Sequence, residues 1–202
     1  MIQGVTIAPA NEARWEDLQA LFGTQGEPAR CWCQRYKMSP GESWASVGAD
    51  ELSFRFRAQT DCGRPGSDTT GLVAYHDGEP VGWCAVEPRS AYPRLLLKTR
   101  VPWEGRAEDK ADSSVWAVTC LFTRRGFRRR GISRALVRAA VDHARDRGAR
   151  AIEGYPLTAE PGQANLPVEL HVGTRSVFAD AGFAEVGRPT IRRVVMRIDF
   201  NP

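Results

Sequence analysis

The sequence lacks the features of membrane and exported proteins. None of its apolar runs approaches the ~20 residues that a transmembrane helix needs. The N-terminus, MIQGVTIAPA, has neither the charged start nor the long apolar middle of a signal peptide. We therefore expect a cytoplasmic protein that works away from the membrane.

The chain is also short of residues arranged to bind a metal. Its five cysteines are odd in number, and two of them, Cys84 and Cys120, lie inside apolar runs, which is typical of small buried side chains in a reducing compartment. One residue separates Cys31 from Cys33, whereas zinc ligands are usually about two to four residues apart, and no histidine is near. We expect no metal, although these two cysteines with Cys62 leave a metal-binding interaction domain as an alternative.

Internal repeats, low-complexity segments and a strong net charge are absent as well. The 202 residues suffice for one sizeable hydrophobic core and are few for two, so a single domain over residues 1–202 is expected. The net charge is only +4, and five of the 28 basic residues lie in one segment, Arg124 to Arg130. The overall charge therefore says little about a nucleic-acid partner.

The most regular part of the sequence is a strand, helix and strand between residues 115 and 155. Val115 to Thr123 is a continuous apolar run, which predicts a strand buried on both faces. Apolar residues then recur at helical spacing from Ile132 to His143, and Gly148 is expected to end that helix. The next apolar stretch, Ala149 to Tyr155, predicts the second strand.

The turn between the first strand and the helix is suited to an anion. Main-chain N–H groups at a helix start have no partner, and the helix dipole adds partial positive charge there. Gly131 permits close approach of a ligand, and Arg128 to Arg130 add full charges, although the spacing differs from the Walker phosphate loop and the dinucleotide fingerprint. A basic cluster also occurs as a solvated face or nucleic-acid patch, so a nucleic-acid-binding regulator is the alternative.

Residues 128 to 133, Arg-Arg-Arg-Gly-Ile-Ser, resemble the acyl-CoA pyrophosphate loop of the GNAT family of N-acetyltransferases, with Ser133 where the family usually has Gly or Ala. GTRSVFADAGF, from Gly173 to Phe183, resembles the family's fourth helix and the Gly-Phe that opens the next strand. The resemblance implies an α/β (α+β) fold. In it a mixed, mostly antiparallel central sheet splays between two parallel central strands and is flanked by helices.

The resemblance further implies an acetyl-CoA-dependent N-acetyltransferase that transfers the acetyl group directly to a primary amine. A small-molecule amine, such as an amino-sugar antibiotic, is the first candidate acceptor and a protein amine the second. A donor other than acetyl, and CoA binding without activity, are the alternatives. Nucleic acid is not expected as a partner, and dimers are common in the family, so a homodimer is considered.

Site residues follow from the same resemblance. The pyrophosphate would be held by Arg128, Arg129, Arg130, Gly131, Ile132 and Ser133, and pantetheine would be contacted by the main chain of Leu121, Phe122 and Thr123. Glu153 is the first candidate for the general base, because a carboxylate in an apolar strand is desolvated and its pKa rises. Its alternative is a carboxylate bonded to a neighbouring arginine, with Glu87 and His171 as reserve bases.

The proton donor for the leaving thiolate is less well defined. The family usually has Tyr four residues before the Gly of Gly-Phe, and Phe178 occupies that position here. Tyr155, Ser176 or a water would replace it, or the thiolate would leave unassisted.

The remaining segments are patterned more weakly. We expect a strand at Val5 to Ile7, a helix capped by Asn11, a helix at Glu51 to Gln59, a hairpin of Leu72 to Tyr75 with Val81 to Val86, and a terminal strand pair of Ala184 to Val186 with Ile191 to Phe200. Pro88 to Asp112 is expected to be a long connection forming a flap over the active site, and Thr158 to Pro167 a loop. Trp32, Tyr36 and Trp44 either wall a substrate pocket or belong to the core.

Overall fold

The computed structural model describes residues 3–23, 26–97, 101–158 and 171–200. Its strands are β1 (Val5–Pro9), β2 (Gly71–His76), β3 (Glu79–Pro88), β4 (Val115–Thr123), β5 (Ala151–Gly154), β6 (Ala184–Thr190) and β7 (Arg193–Asp199). Its α-helices are α1 (Trp15–Phe22), α2 (Gly26–Cys31), α3 (Trp44–Val47), α4 (Ala49–Thr60), α5 (Pro93–Leu97), α6 (Ile132–Asp146) and α7 (Arg175–Ala179). No helix among these residues is both long enough and apolar enough to cross a membrane.

The seven strands form one sheet in the order β1-β2-β3-β4-β5-β7-β6. Of the six neighbouring pairs in this order, five are antiparallel. The pair formed by β4 and β5 is parallel. The mixed, mostly antiparallel sheet expected from the sequence is therefore confirmed.

The central unit was predicted almost in full. Every residue of β4 except Phe122 is buried, as its continuous apolar run requires. Helix α6 packs one face on the sheet, where Leu136 and Ala140 are completely buried, and Gly148 follows the helix with φ +74°. This left-handed conformation at the helix end is the one that favours glycine.

An aromatic cluster fills the opposite face of the sheet. Trp32 stacks on Trp15 and Phe22, with ring centroids 5.6 and 5.2 Å apart. Phe56 of α4 lies 4.5 Å from Phe22 and is completely buried. The helix predicted around residues 51–59 is thus confirmed. Of the two interpretations given for Trp32, the structure supports the core.

Two local predictions near the N-terminus had different outcomes. The hairpin turn at Asp77-Gly78 is confirmed, since both residues have positive φ and connect β2 to β3. Asn11 does not cap α1, whose N-cap is Arg14. The buried amide of Asn11 instead donates a 2.8 Å hydrogen bond to the carbonyl oxygen of Ser67 and so fixes a distant loop.

The connection between β3 and β4 is more ordered than the sequence indicated. It contains α5 and short 3₁₀ turns at Arg89–Ala91 and Val101–Trp103. The indole N–H of Trp103 donates to the carbonyl oxygen of Leu95 at 2.9 Å, and the Arg89 side chain is fully buried. The described parts of this segment pack against the sheet. Of the loop predicted at residues 158–167, all but Thr158 lies outside the described residues.

The C-terminal strands form the predicted pair, but their order in the sheet was not foreseen. Strand β7 lies between β5 and β6. Arg197 therefore faces Glu153 on one side and Ala184 on the other. This cross-strand pairing places a guanidinium beside the only carboxylate of β5.

Candidate active site

The start of α6 forms a compact anion-binding turn. Arg129 and Gly131 both have positive φ, +62° and +80°, which folds the main chain back before Ile132 begins the helix. Among the described residues, no acceptor bonds the amide hydrogens of Gly131, Ile132 or Ser133. The side chains of Arg128, Arg129 and Arg130 are exposed. Amides without an acceptor, a helix N-terminus and exposed cationic side chains together make a site for a phosphate group.

Side chains close this turn onto the end of β4. The hydroxyls of Thr123 and Ser133 are 3.1 Å apart, and Arg128 Nε donates to the Thr123 carbonyl oxygen at 3.3 Å. Ile132 is buried beneath the turn. Ser133, in the last position of the loop, thus forms a side-chain hydrogen bond with Thr123 that Gly or Ala could not form.

The parallel strands β4 and β5 separate directly beside this turn. Their pairing ends at Val118 and Gly154. Strand β4 then continues to Thr123, whereas on the other side Leu157 forms an isolated bridge with Thr174. The main chain of β4 beyond Val118 therefore has no parallel strand partner among the described residues. The splayed strands predicted from the sequence are present.

A β-bulge modifies β4 at the point of separation. Val118 pairs with Val86 of β3 and Cys120 pairs with Ala85, which leaves Thr119 as an extra residue. Bulges bend a strand and redirect its main-chain groups. The amides that follow Thr119 consequently border the wedge between the strands.

The three β4 residues expected to contact pantetheine have side chains committed elsewhere. Leu121 packs in the core on the α6 side, Phe122 lies 5.3 Å from Phe22 on the other side, and the Thr123 hydroxyl bonds Ser133. Only their main-chain atoms are available to the wedge, which fits the main-chain role expected for them.

Glu153 lies in a buried cluster of charges. Its Oε1 accepts a 2.6 Å hydrogen bond from Arg197 and another from Arg106, and Arg89 Nη1 lies 3.5 Å from each carboxylate oxygen. Glu108 pairs with the same three arginines. Glu153 and the Arg89 side chain are both completely buried.

This cluster overturns the electrostatic argument for Glu153. Burial by itself raises the pKa of the Glu153 carboxyl, but hydrogen bonds and charge from Arg106, Arg89 and Arg197 outweigh it and hold the pKa below its usual range. The raised pKa expected from the sequence was wrong. The alternative interpretation, a carboxylate bonded to arginine, describes the geometry.

Tyr155 is tied to the same cluster. Its hydroxyl donates to Glu153 Oε2 at 3.0 Å, and burial with the adjacent Glu153 charge raises the pKa of Tyr155 well above its ordinary value. A phenol whose proton is already shared with a carboxylate is a poor donor to a leaving group. Phe178, at the position of the family's usual Tyr, is fully buried and packs edge-on against Phe183 with ring centroids 5.1 Å apart.

The reserve bases have different surroundings. Glu87 Oε2 accepts a hydrogen bond from the Thr70 hydroxyl and pairs with Lys37, so this oxygen is already engaged. His171 is half-buried, and its ring centroid lies 6.4 Å from that of Tyr36. Tyr36 in turn packs on the apolar cluster that contains Ala117 of β4 and Tyr155. His171 and Tyr36 thus lie near the separated part of β4.

A cavity of about 420 Å³ opens beside Tyr36. Among the described residues it is lined by Arg35, Tyr36, Ser43, Trp44 and Arg94. Two of the three aromatic residues named from the sequence, Tyr36 and Trp44, thus do line a pocket. The cavity lies on the face of the sheet opposite α6, so the anion-binding turn and the cavity approach the wedge from different sides.

The structure brings together some of the predicted site residues and separates others. The turn at Arg128 to Ser133 adjoins the end of β4, as expected. The sequence reasoning missed Arg89 and Arg106, which come from the segment interpreted as a flap, and Arg197. Of the three, only Arg197 could have been suspected from the sequence. It lies in the predicted terminal strand pair, and one of those strands can pair with the strand that carries Glu153.

Comparison with known proteins agrees with this geometry. Residues 16–162 match the model of the acetyltransferase (GNAT) family. No curated protein matches the chain by sequence. A solved aminoglycoside acetyltransferase in complex with coenzyme A is 19% identical with a TM-score of 0.54, covering 96% of this chain and 94% of that one.

Two further solved structures are similar. The ribosomal-protein-alanine N-acetyltransferase of Brucella melitensis is 16% identical with a TM-score of 0.50, covering 96% of this chain and 99% of that one. The PaiA N-acetyltransferase of Thermoplasma acidophilum, in complex with coenzyme A, is 14% identical with a TM-score of 0.50, covering 97% and 99%. At these identities the likeness concerns the fold. Because the family model matches most of its length, the chain belongs to the acetyltransferase (GNAT) family.

Proposed function

We propose that this protein is an acetyl-CoA-dependent N-acetyltransferase that transfers the acetyl group directly to a primary amine. One observation carries the proposal: unbonded amides and exposed arginines at the start of α6 adjoin the wedge between β4 and β5. An anion-binding turn beside two separating strands suits a ligand with a diphosphate and a long thin arm. Similar structures solved with coenzyme A support the same ligand.

The residues present fit coenzyme A. The amides of Gly131 to Ser133 and the side chains of Arg128 to Arg130 would hold the diphosphate, and the main chain of Leu121 to Thr123 would contact the pantetheine arm. When bound as the acetyl ester, the group supplies an acyl carbon activated by its thioester bond. The chain's own residues must then position the amine, accept its proton and stabilise negative charge on the carbonyl oxygen.

Main-chain amides of β4 are the candidates for stabilising that oxygen. Beyond Val118 they have no parallel strand partner among the described residues, and the bulge at Thr119 redirects them. Such donors are fixed before the reaction begins and need no reorganisation when charge develops. Glu153 and Tyr155, fixed in the buried cluster, would act as positioning residues for β5.

We assign the general base to His171. Histidine exchanges protons near neutral pH, and this one lies beside Tyr36 on the cavity side of the wedge. Glu153 is held as a carboxylate by three arginines and is thereby less basic than an ordinary glutamate.

The anion-binding turn is tested by substituting Gly131. Gly131→Val places a β-branched residue at φ +80°, which distorts the turn, and we expect acetyl-CoA binding measured by calorimetry to weaken at least about a hundredfold. Gly148→Val is the matched control, because it imposes the same backbone strain at φ +74° at the other end of α6, with no neighbour within 4 Å.

Both variants should lose comparable stability, and only Gly131→Val should lose the ligand. Release of free thiol in the presence of an amine then reports activity. Equal affinity of the two variants for acetyl-CoA would refute the site. Tight binding without thiol release for any amine would indicate a coenzyme A binder that lacks transferase activity.

A further inference from the structure

A buried tyrosine hydroxyl near the wedge has no hydrogen-bond partner. Tyr92, four residues after β3, is 1% exposed, and its hydroxyl makes no hydrogen bond among the described residues. The side chain of Thr119, the extra residue of the β4 bulge, is a neighbour of this hydroxyl but does not complete a bond with it. Buried polar groups are nearly always paired, because an unpaired one costs free energy. The Tyr92 hydroxyl thus has the property expected of a group whose partner is a bound ligand.

Tyr92 lies where the two parallel strands part. It belongs to the apolar cluster that also contains Ala117 of β4 and Tyr155, the residue that follows β5. The pairing of β4 with β5 ends at Val118 and Gly154, directly beside these two neighbours. Tyr92 therefore borders the inner end of the wedge, on the face of the sheet opposite α6.

A ligand held at the start of α6 can reach this point along β4. The anion-binding turn closes on Thr123 through the hydroxyl of Ser133. From Thr123 back to Thr119, four residues of extended strand span about 13 Å. An arm that follows β4 from the turn thus ends near the bulge, and in coenzyme A the end of the arm is the sulfur that carries the acyl group.

The Tyr92 phenol is suited to donate a hydrogen bond and to keep its proton. Burial and the nearby Glu87 carboxylate raise the pKa of Tyr92 well above its ordinary value. Lys37 lies over the ring, with Nζ 5.4 Å from the centroid, and pairs with the same Glu87. A donor fixed in this way before the reaction needs no reorganisation when negative charge appears beside it.

From this arrangement we propose that the Tyr92 hydroxyl donates a hydrogen bond to the thioester sulfur and stabilises the negative charge that develops there. As the amine nitrogen bonds the acyl carbon, the carbon–sulfur bond breaks and its electron pair stays on sulfur, while the amine proton passes to the general base. Tyr92 keeps its own proton, and solvent protonates the thiolate after release. Tyr155 and Phe178 leave this role open, because the first donates to Glu153 and the second has no hydroxyl. The inference rests on the acetyltransferase function proposed above and adds a catalytic residue to it.

Tyr92→Phe removes only this hydroxyl, and its effect on stability is the first test. Loss of an unpaired buried hydroxyl should leave the thermal unfolding temperature of the ligand-free protein unchanged or raise it. Tyr75→Phe is the matched control, because the Tyr75 hydroxyl bonds Asp17 at 3.1 Å on β2, which β3 separates from β4. It should lower the unfolding temperature and leave kcat unchanged. A loss of stability in Tyr92→Phe equal to that in Tyr75→Phe would reveal a structural hydrogen bond and refute the proposal.

The thiol of bound coenzyme A reports the interaction without any acceptor. Ultraviolet absorbance of the thiolate is titrated against pH with coenzyme A bound, and desulfo-coenzyme A serves as the blank for the protein's own tyrosines and cysteines. A charge-assisted hydrogen bond stabilises the thiolate, so the acid dissociation constant of the bound thiol should be about tenfold or more larger in wild type than in Tyr92→Phe. With a reactive amine, kcat of Tyr92→Phe should fall about tenfold or more, while its affinity for acetyl-CoA should change less than about twofold.

The outcomes separate this proposal from the proposed function. If neither acetyl-CoA nor coenzyme A binds the wild-type protein, the acetyltransferase assignment falls and this inference with it. If coenzyme A binds and its thiol titrates identically in wild type and Tyr92→Phe, the role of Tyr92 is refuted while the coenzyme site stands. An unchanged kcat in Tyr92→Phe also refutes the catalytic role, whatever the thiol titration gives.

Discussion

His143 on α6 is buried in a setting that penalises its charged form. Its Nδ1 lies 3.0 Å from Arg147 Nη1, and its Nε2 has no hydrogen-bond partner among the described residues. Its ring faces the edge of Trp116 at 5.8 Å. Burial and the neighbouring Arg147 charge lower the pKa of His143 from 6.5 to about 4. The folded protein therefore keeps this imidazole neutral at pH values where the unfolded chain binds a proton.

This difference makes stability depend on pH. Between about pH 6.5 and 4 the unfolded state binds the extra proton, so the free energy of unfolding falls as the pH is lowered, by about 3 kcal/mol over that interval. Urea unfolding of wild type and His143→Gln at pH 7 and pH 5 checks this. The variant should lose less stability than wild type on acidification, and parallel losses would contradict the role of His143.

Glu153 is expected to matter more for stability than for proton transfer. Glu153→Gln leaves three arginines facing only Glu108, and an uncompensated buried charge of this kind costs about 3–5 kcal/mol in unfolding free energy. Because the folded pKa lies below the ordinary 4.5, the carboxylate stabilises the fold above pH 4.5 and the contribution is lost as the pH falls further. Glu108→Gln is the control, since Glu108 is 27% exposed and should cost less.

Rates separate Glu153 from His171. His171→Gln should lower kcat about 10²–10⁴-fold and remove the acidic limb of the pH profile, as expected for loss of a general base. Glu153→Gln, assayed below its unfolding temperature, should keep that limb. The assignment would be reversed if the limb disappeared in the Glu153 variant and persisted in the His171 variant.

The site residues that could be predicted from the sequence are those whose role depends only on residues near them in the chain. Arg128 to Ser133 lie within one turn, so their spacing and their place before a helix already specify an anion site. The state of Glu153 depends on Arg89 and Arg106, which are 64 and 47 residues away in sequence. The apolar neighbours of Glu153 in the sequence indicate that it is buried, and burial alone would raise its pKa. The distant arginines that lower the pKa instead cannot be identified from the sequence.

At the scale of elements, the end of β5 is shaped by one glycine. A Cβ at Gly154 would overlap the ring of Phe178, a fully buried residue of α7. Glycine here lets α7 pack directly against the point where β4 and β5 separate. The aromatic ring thus occupies the position from which the family's usual Tyr would supply a hydroxyl.

Gly154→Ala should therefore destabilise the protein more than an alanine substitution at a glycine with open space around it. Overpacking of a fixed core commonly costs about 1–3 kcal/mol, and the displaced α7 should also weaken acetyl-CoA binding. Gly126→Ala, where the added carbon has no neighbour within 4 Å, is the control and should be close to neutral. Thermal unfolding and calorimetry provide the measurements, and equal effects of the two substitutions would contradict this packing.

Elements with a strong repeating pattern were the ones predicted correctly. The apolar run of β4 and the amphipathic pattern of α6 identify each element without its surroundings. Asn11 has the chemistry of a cap, but its amide bonds Ser67, 56 residues away. The short turn at Val101–Trp103 packs against β6 and β7 and has no local pattern that predicts it. The insertion of β7 between β5 and β6 likewise has no local signal.

At the scale of the whole molecule, charge on the α6 side should make coenzyme binding sensitive to salt. Arg128, Arg129 and Arg130 are exposed, so their attraction for a diphosphate is screened by ions. Raising the ionic strength from about 0.05 to 0.5 M should weaken acetyl-CoA binding on the order of tenfold. Pantetheine, which lacks the phosphates, is the control ligand, and an equal loss for both would exclude these arginines from the site.

The sheet order has a consequence for how the protein is made. Among the described strands, β7 is the only neighbour of β6 and one of two neighbours of β5. On the ribosome, a nascent chain that has not yet reached residues 193–199 therefore exposes unpaired strand edges, while β1 to β4 are already available to pair. Arg197 arrives with the same strand, so Glu153 gains this partner only after β7 has been made.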